Sequence, residues 1–189
     1  MTGKRVLTLL AMLLTASSMA GADTVMTFTP DPADLSGLDH YSVYMWGIDV
    51  PLAPGELIDA AELRFNNIRN WDDNSNDLHV HQLDWTALGV TEEYDNQAGG
   101  DYFATVHPGE HTHLVTYHDL PSVVQDLTYT FTGDDLAVLN GYLADGRIGV
   151  GLDPDCHFFN DGIAFTVSVV PEPASLALLA IGGLVMLKR

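Results

Sequence analysis

Apolar and polar residues alternate along much of this chain. Ala61, Leu63 and Phe65 stand against Glu62, Arg64 and Asn66, and Leu127, Tyr129 and Phe131 against Thr128, Thr130 and Thr132. Ile148, Val150 and Leu152 stand against Arg147, Gly149 and Gly151, and Ile163, Phe165, Val167 and Val169 close the series. A period of two puts one set of side chains on each face of an extended segment, so these stretches predict half-buried β-strands. Weaker strand patterns cover 24–28, 40–50, 78–83, 102–105 and 113–117. Only 134–143 breaks the pattern. There Asp134 or Asp135 is placed to cap a short helix that buries Leu136, Leu139 and Leu143, and Asp145-Gly146 turns the chain into the next strand. Many short strands separated by Asp, Asn, Gly and Pro loops predict an all-β fold, an antiparallel β-sandwich that is jelly-roll-like.

The two ends follow different patterns. Lys4 and Arg5 precede an apolar run from Val6 to Ala16, and Ala20-Gly21-Ala22 has the small-x-small form of a cleavage site. Residues 1–22 therefore predict a helical secretory signal peptide removed by signal peptidase, with Asp23 as the new N-terminus and a cut after Ala20 as the alternative. The other end reads Pro171-Glu172-Pro173, then small and apolar residues from Ala174 to Leu187, then Lys188-Arg189. As a helix that apolar stretch spans about 21 Å, against a hydrocarbon core of about 30 Å. Gly182 and Gly183 weaken the helix, and the basic pair fits the cytoplasmic side of a membrane. The segment suits transient insertion better than permanent anchorage.

The tail, 170–189, resembles the PEP-CTERM sorting signal on the strength of Pro171, Glu172, Pro173, Lys188 and Arg189. That resemblance implies recognition by an exosortase, a membrane cysteine transpeptidase, and cutting near Pro-Glu-Pro after passage through the inner membrane. It implies delivery to the cell surface or extracellular matrix, in organisms that make extracellular polysaccharide. It covers the tail alone. The roughly 150 residues between the two signals, 23–169, are expected to form one domain with a single core.

Setting the signals aside sharpens the charge. Four of the seven basic residues lie in them, and from Asp23 to Glu172 this leaves Arg64, Arg69 and Arg147 against all 26 acidic residues, a formal charge of −23 without a lysine. This repels nucleic acid and anionic lipid and favours hard, oxygen-loving cations. Recurrent aromatic and β-branched residues argue against disorder. Cys156 is the single cysteine, so no internal disulfide staples the fold.

Two carboxylate-rich loops are candidate Ca²⁺ sites. In the first, Asp72, Asn74 and Asn76 occupy alternate positions, like the opening of an EF-hand loop. Leu83 stands where the twelfth-position glutamate belongs, which excludes an EF-hand and leaves a looser site. In the second, Asp153 and Asp155 flank Pro154, and the turn Asn160-Asp161-Gly162 returns Asn160 and Asp161 toward them. This segment is similar in style to the calcium-bearing loops of carbohydrate-binding β-sandwich modules.

Histidines make a further constellation. His79 and His81 share one face of a predicted strand, and His107, His111, His113 and His118 follow, with Glu110 among them. Such a set suits Zn²⁺, Cu²⁺ or Fe²⁺. His111-x-His113 resembles the cupin metal motif but lacks the family's preceding glycine and following glutamate. Trp71, Trp85 and Tyr94 lie in or near polar loops, where flat rings beside carboxylates and amides suit stacking on sugars. No nucleophile elbow, phosphate loop or dinucleotide fingerprint occurs, and the adjacent Cys156 and His157 point to opposite faces if extended. The expectation is a non-catalytic surface or matrix protein, calcium-stabilised and polysaccharide-binding. The alternatives are a purely structural protein and a small histidine-site metalloenzyme.

Overall fold

The computed structural model describes residues 23–95 and 99–172. The expected signal peptide lies outside them, as do Pro173, Lys188 and Arg189.

Among the described residues, ten strands form two sheets in which every pairing is antiparallel. They are β1 (Thr24–Phe28), β2 (Ser42–Asp49), β3 (Glu56–Asn70), β4 (Asp77–Leu83), β5 (Gly89–Tyr94), β6 (His111–His118), β7 (Gln125–Thr130), β8 (Arg147–Pro154), β9 (Phe158–Phe159) and β10 (Gly162–Pro171). The first sheet runs β1-β10-β3-β7, with β9 on the end of β3; the second runs β5-β2-β8-β4-β6. From β1 to β4 and from β6 to β9 the chain alternates between sheets, whereas β4, β5 and β6 all stay in the second. Leu63, Phe65, Phe165 and Val167 of the first sheet and Trp46, Val80, Val150 and Leu152 of the second join in one core. These are the period-two positions, apolar inward and polar outward, as a half-buried sheet requires.

Two strands depart from simple alternation for identifiable reasons. β3 carries a bulge at Asn66-Asn67, where Asn67 takes φ 49°, a left-handed conformation that asparagine tolerates; beyond it Ile68 and Asn70 point inward. β2 is buried on both faces up to Ile48. Its outer face, with that of β8, lies under the segment 84–87 and a helix. Gly47, Gly149 and Gly151 make this approach possible: a Cβ on Gly47 would sit 2.0 Å from the Ala87 carbonyl oxygen, and one on Gly151 2.6 Å from the Phe103 ring.

That helix, α1 (Tyr102–Val106), replaces the strand expected at 102–105. The Asp101 carboxylate accepts the Ala104 N–H at 3.0 Å and starts the turn, and Phe103, fully buried, docks onto the sheet instead of pairing with it. The predicted second helix forms as α2 (Gly133–Tyr142), followed by a 3-10 turn, Leu143–Asp145. Its cap is Thr132, not Asp134 or Asp135. The carboxylate of Asp135 takes hydrogen bonds from the Thr132 N–H and hydroxyl in a capping box. Leu139 and Leu143 are buried and Leu136 packs on the core. Asn140 fastens α2 to β3 by donating to the Ile58 carbonyl at 2.8 Å and accepting the Ile58 N–H at 2.9 Å. Among the described residues no helix is long and apolar enough to cross a membrane.

Candidate metal centre

Cross-strand register builds a grid of polar side chains on the outer face of the second sheet. Across β8, β4 and β6, Asp77 lies opposite His118 and, through the Asp155 N–H bonded to the Asp77 carbonyl, beside Asp155. One step along, Asp153, His79 and Thr116 form a row; the next holds Gly151, His81 and His113. Directly opposed residues of antiparallel strands share a face. The inward partners in the same strands, Leu78, Val80, Val150 and Leu152, fix that face by burying themselves in the core.

The grid is roofed. The Tyr102 N–H donates to Asp153 Oδ2 at 2.7 Å, and the Gly100 N–H is shared by Asp155 Oδ1 and Oδ2 at 3.2 and 3.4 Å. Phe103 covers Gly151 and packs against the His81 ring with centroids 4.8 Å apart. His81 and Asp153 are fully buried, and His79 is 9 % exposed.

Burial without enough partners marks these groups. His79 Nε2, His81 Nε2 and Asp153 Oδ1 are buried and make no hydrogen bond. His81 Nε2 lies 3.1 Å from Asp101 Oδ1 but out of line for a hydrogen bond, and its Nδ1 is 2.9 Å from His111 Nδ1. Burial holds the His81 imidazole neutral down to about 3, outweighing the nearby Asp101, which favours the charged form. Burial also pushes the Asp153 carboxyl up to about 7. The Tyr102 N–H opposes this and the charges of Asp155, Asp95 and Asp101 add to it. Asp155 is raised for the same first reason. Neutral imidazoles beside crowded carboxylates form the donor set of a metal site. One ligand atom each from Asp77, His79 and Asp155 lies within 4.8 Å of the others, and the same holds for His79, Asp101 and His113.

The two constellations expected separately from sequence are thus partly joined. Asp153 and Asp155 stand with the histidines. Asn160 and Asp161 turn into the first sheet, where Asn160 Oδ1 accepts the Gly162 N–H at 2.9 Å and Asp161 Oδ2 accepts from Asn67 Nδ2 at 2.7 Å. Asp72 accepts the Asn74 N–H at 3.0 Å and from Asn76 Nδ2 at 3.4 Å, an Asx turn that binds its own amides. Asp77 and Asp101 went unnoticed in the sequence, although Asp77 sits two residues before His79 on one strand face. Asp101 had no such signal, because its place depends on how the roof folds back.

The aromatic candidates separate. Trp71 is 63 % exposed, and Tyr94 is 67 % exposed and stacked on Tyr41 with ring centroids 6.1 Å apart. Trp85 is half-buried against Val43, Met45, Leu83 and Phe103, its ring 4.3 Å from that of His107. Burial raises the Cys156 thiol above its usual range, the reverse of what a nucleophile needs.

No family model matches the chain and no curated protein matches it. Among solved structures, a latent aurone synthase (polyphenol oxidase) from natural source aligns with TM-score 0.34 and 13 % identity, over 69 % of this chain and 24 % of that one. The recombinantly expressed latent aurone synthase (polyphenol oxidase) aligns with TM-score 0.37 and 12 % identity, over 72 % of this chain and 26 % of that one. The chain spans about a quarter of the length of these proteins, and a likeness of this size says nothing about its activity.

Proposed function

We propose that this is an exported, exosortase-sorted protein of the cell surface or extracellular matrix, whose non-catalytic sandwich, of jelly-roll type, is stabilised by a divalent cation on the outer face of its second sheet. The observation that carries the cation is the buried His79 Nε2, which makes no hydrogen bond, on a ring that has ligand oxygens of Asp77, Asp101 and Asp155 within 4.8 Å. A buried polar atom left unpaired costs about 1–3 kcal/mol, and a cation among lone pairs removes that cost. Sorting rests on the resemblance of the tail, and the jelly roll on the strand order. The exposed rings of Trp71 and Tyr94 favour a polysaccharide as what the domain meets outside the cell. A purely structural role is the second reading.

The test is thermal melting of the mature body stripped with chelator and then supplied with Ca²⁺, Mg²⁺ or Zn²⁺. An ion bound only by the folded state adds about 2.7 kcal/mol at a hundred times its dissociation constant, so at least one should raise the midpoint by several degrees. Unchanged melting with all three would remove the cation from this reading. A glycan array read with native protein and Trp71→Ala checks the polysaccharide: binding by the native protein, lost in the variant, is expected.

A further inference from the structure

We propose that the ion is a transition-metal cation of the zinc type, not calcium, held by His79 Nε2 together with the carboxylates of Asp77 and Asp155. This rests on the cation reading above and names the ion and its ligands.

His79 provides the main argument. Its Nδ1 lies 2.9 Å from Thr116 Oγ1, and the same hydroxyl lies 2.8 Å from His113 Nε2. If Nδ1–H of His79 donates to the hydroxyl, the hydroxyl in turn donates to His113 Nε2 and each of these three polar atoms is satisfied. His79 Nε2 is then a bare lone pair. An orienting hydrogen bond on the far ring nitrogen is the usual support of a metal-bound histidine, fixing both tautomer and ring plane. The bare nitrogen faces Asp155 Oδ2 at 3.9 Å, with no hydrogen bond between them. A lone pair turned toward carboxylate oxygens is repulsive until a cation lies between them. Two bonds of about 2.0–2.2 Å to zinc at a tetrahedral angle set their ligand atoms about 3.4 Å apart, so a closure of a few tenths of an ångström seats an ion in this gap.

The carboxylates are also oriented. Asp77 Oδ1 accepts from His118 Nδ1 at 2.7 Å, leaving its second oxygen for an ion. Asp155 is held by the Gly100 N–H. Donor type, and not spacing, decides the ion. Calcium would fit the distances but takes oxygen ligands, and Asp77 and Asp155 alone fall far short of the six to eight it needs. One imidazole with two carboxylates suits an ion of borderline softness, whose fourth position stays open to water.

The test uses the chelator-stripped mature body with Zn²⁺, Co²⁺ and Ca²⁺ as separate probes. The expected result is one Zn²⁺ or Co²⁺ per chain, visible d–d absorption from bound Co²⁺, and no displacement by a hundredfold excess of Ca²⁺. His79→Gln should weaken zinc binding at least about a hundredfold, beyond the 10–100-fold loss typical of an orienting partner, while His40→Gln leaves it unchanged. If His79→Gln does not fold, Asp155→Asn, which keeps an acceptor for Gly100, takes its place with the same expectation. Stabilisation by Ca²⁺ and not by Zn²⁺ would overturn the zinc-type ion while leaving a cation site in place. Zinc bound equally by native protein, His79→Gln and Asp155→Asn would overturn the ligand set. Binding of none of the three ions would remove both.

Discussion

Asp153 gives a titration that distinguishes the metal-free protein. Its folded carboxyl titrates near 7 because burial disfavours the charge, whereas in an unfolded chain it would titrate near 3.9. A carboxyl raised in this way binds its proton more tightly when folded. Its cost to stability is absent below about pH 4, grows as pH rises, and is complete above about 7. His81 works in the opposite direction. It is neutral in the fold down to about 3 but protonates near 6.5 when unfolded, so stability is lost as pH falls below about 6.5. The two slopes offset each other in the native protein, and a variant separates them. In chelator, Asp153→Asn, which still accepts the Tyr102 N–H, should melt with the native protein at pH 4 and several degrees above it at pH 8. Equal melting at pH 8 would mean that Asp153 is not held in a desolvated place.

Among elements, α1 is the one on which the site depends, and its seat is Gly151. A methyl group there would meet three Phe103 ring atoms at 2.6 to 3.1 Å. The ring is fully buried and has no slack. Gly151→Ala should therefore cost about 1–3 kcal/mol by overpacking, and loosened α1 should raise hydrogen exchange at the Tyr102 amide. Stability within a few tenths of a kcal/mol of native would show that α1 rests elsewhere. The same element marks how far the sequence could be read. β3, β7 and β10 were legible because each has one wetter and one dry face, and a period of two records that difference; β8 was legible because its covered outer face takes Gly149 and Gly151 between Ile148, Val150 and Leu152. β2 was faint because α1 and 84–87 cover its outer face, so both faces are apolar and the alternation vanishes. The residues 102–105, Tyr-Phe-Ala-Thr, are mostly of types that strands favour. They became helical because Asp101 caps them and Phe103 seats on Gly151 of the covered sheet face, which only the assembled sheet decides. Of the site, the pair His79 and His81 was visible through spacing within one strand, and Asp153 and Asp155 through their own loop. That the two sets adjoin follows from the β4–β8 register, and no local pattern encodes it. Asn160 and Asp161, grouped with them by nearness in sequence, are drawn to β3 and β10 by the turn.

At the scale of the whole molecule, charge dominates. Residues 23–172 carry three arginines against 26 acidic side chains, and Arg64 already pairs with Asp126 at 2.6 Å on the surface. Self-repulsion of this size is a steady load on the folded state and is relieved by screening, since the Debye length falls from about 30 Å at 0.01 M to about 3 Å at 1 M ionic strength. The melting temperature of the chelated body should rise steadily with sodium chloride over that range. A flat or falling curve would show that unpaired carboxylates do not limit stability.

The place of β10 has a mechanical consequence. It ends at Pro171, the first residue of the Pro-Glu-Pro motif, and lies between β1 and β3 with antiparallel ladders on both sides. One residue on, the Glu172 N–H still reaches the Gly55 carbonyl at 2.6 Å. Ladder hydrogen bonds run across the strands, so tension applied along the last residues would strain the bonds of both ladders together, as shear, and could not peel them apart one by one. An edge strand in the same position would have a single ladder to resist the load. A domain tethered by its end while its outer surface is dragged by a moving medium would thus carry the load on the strand best placed to resist it.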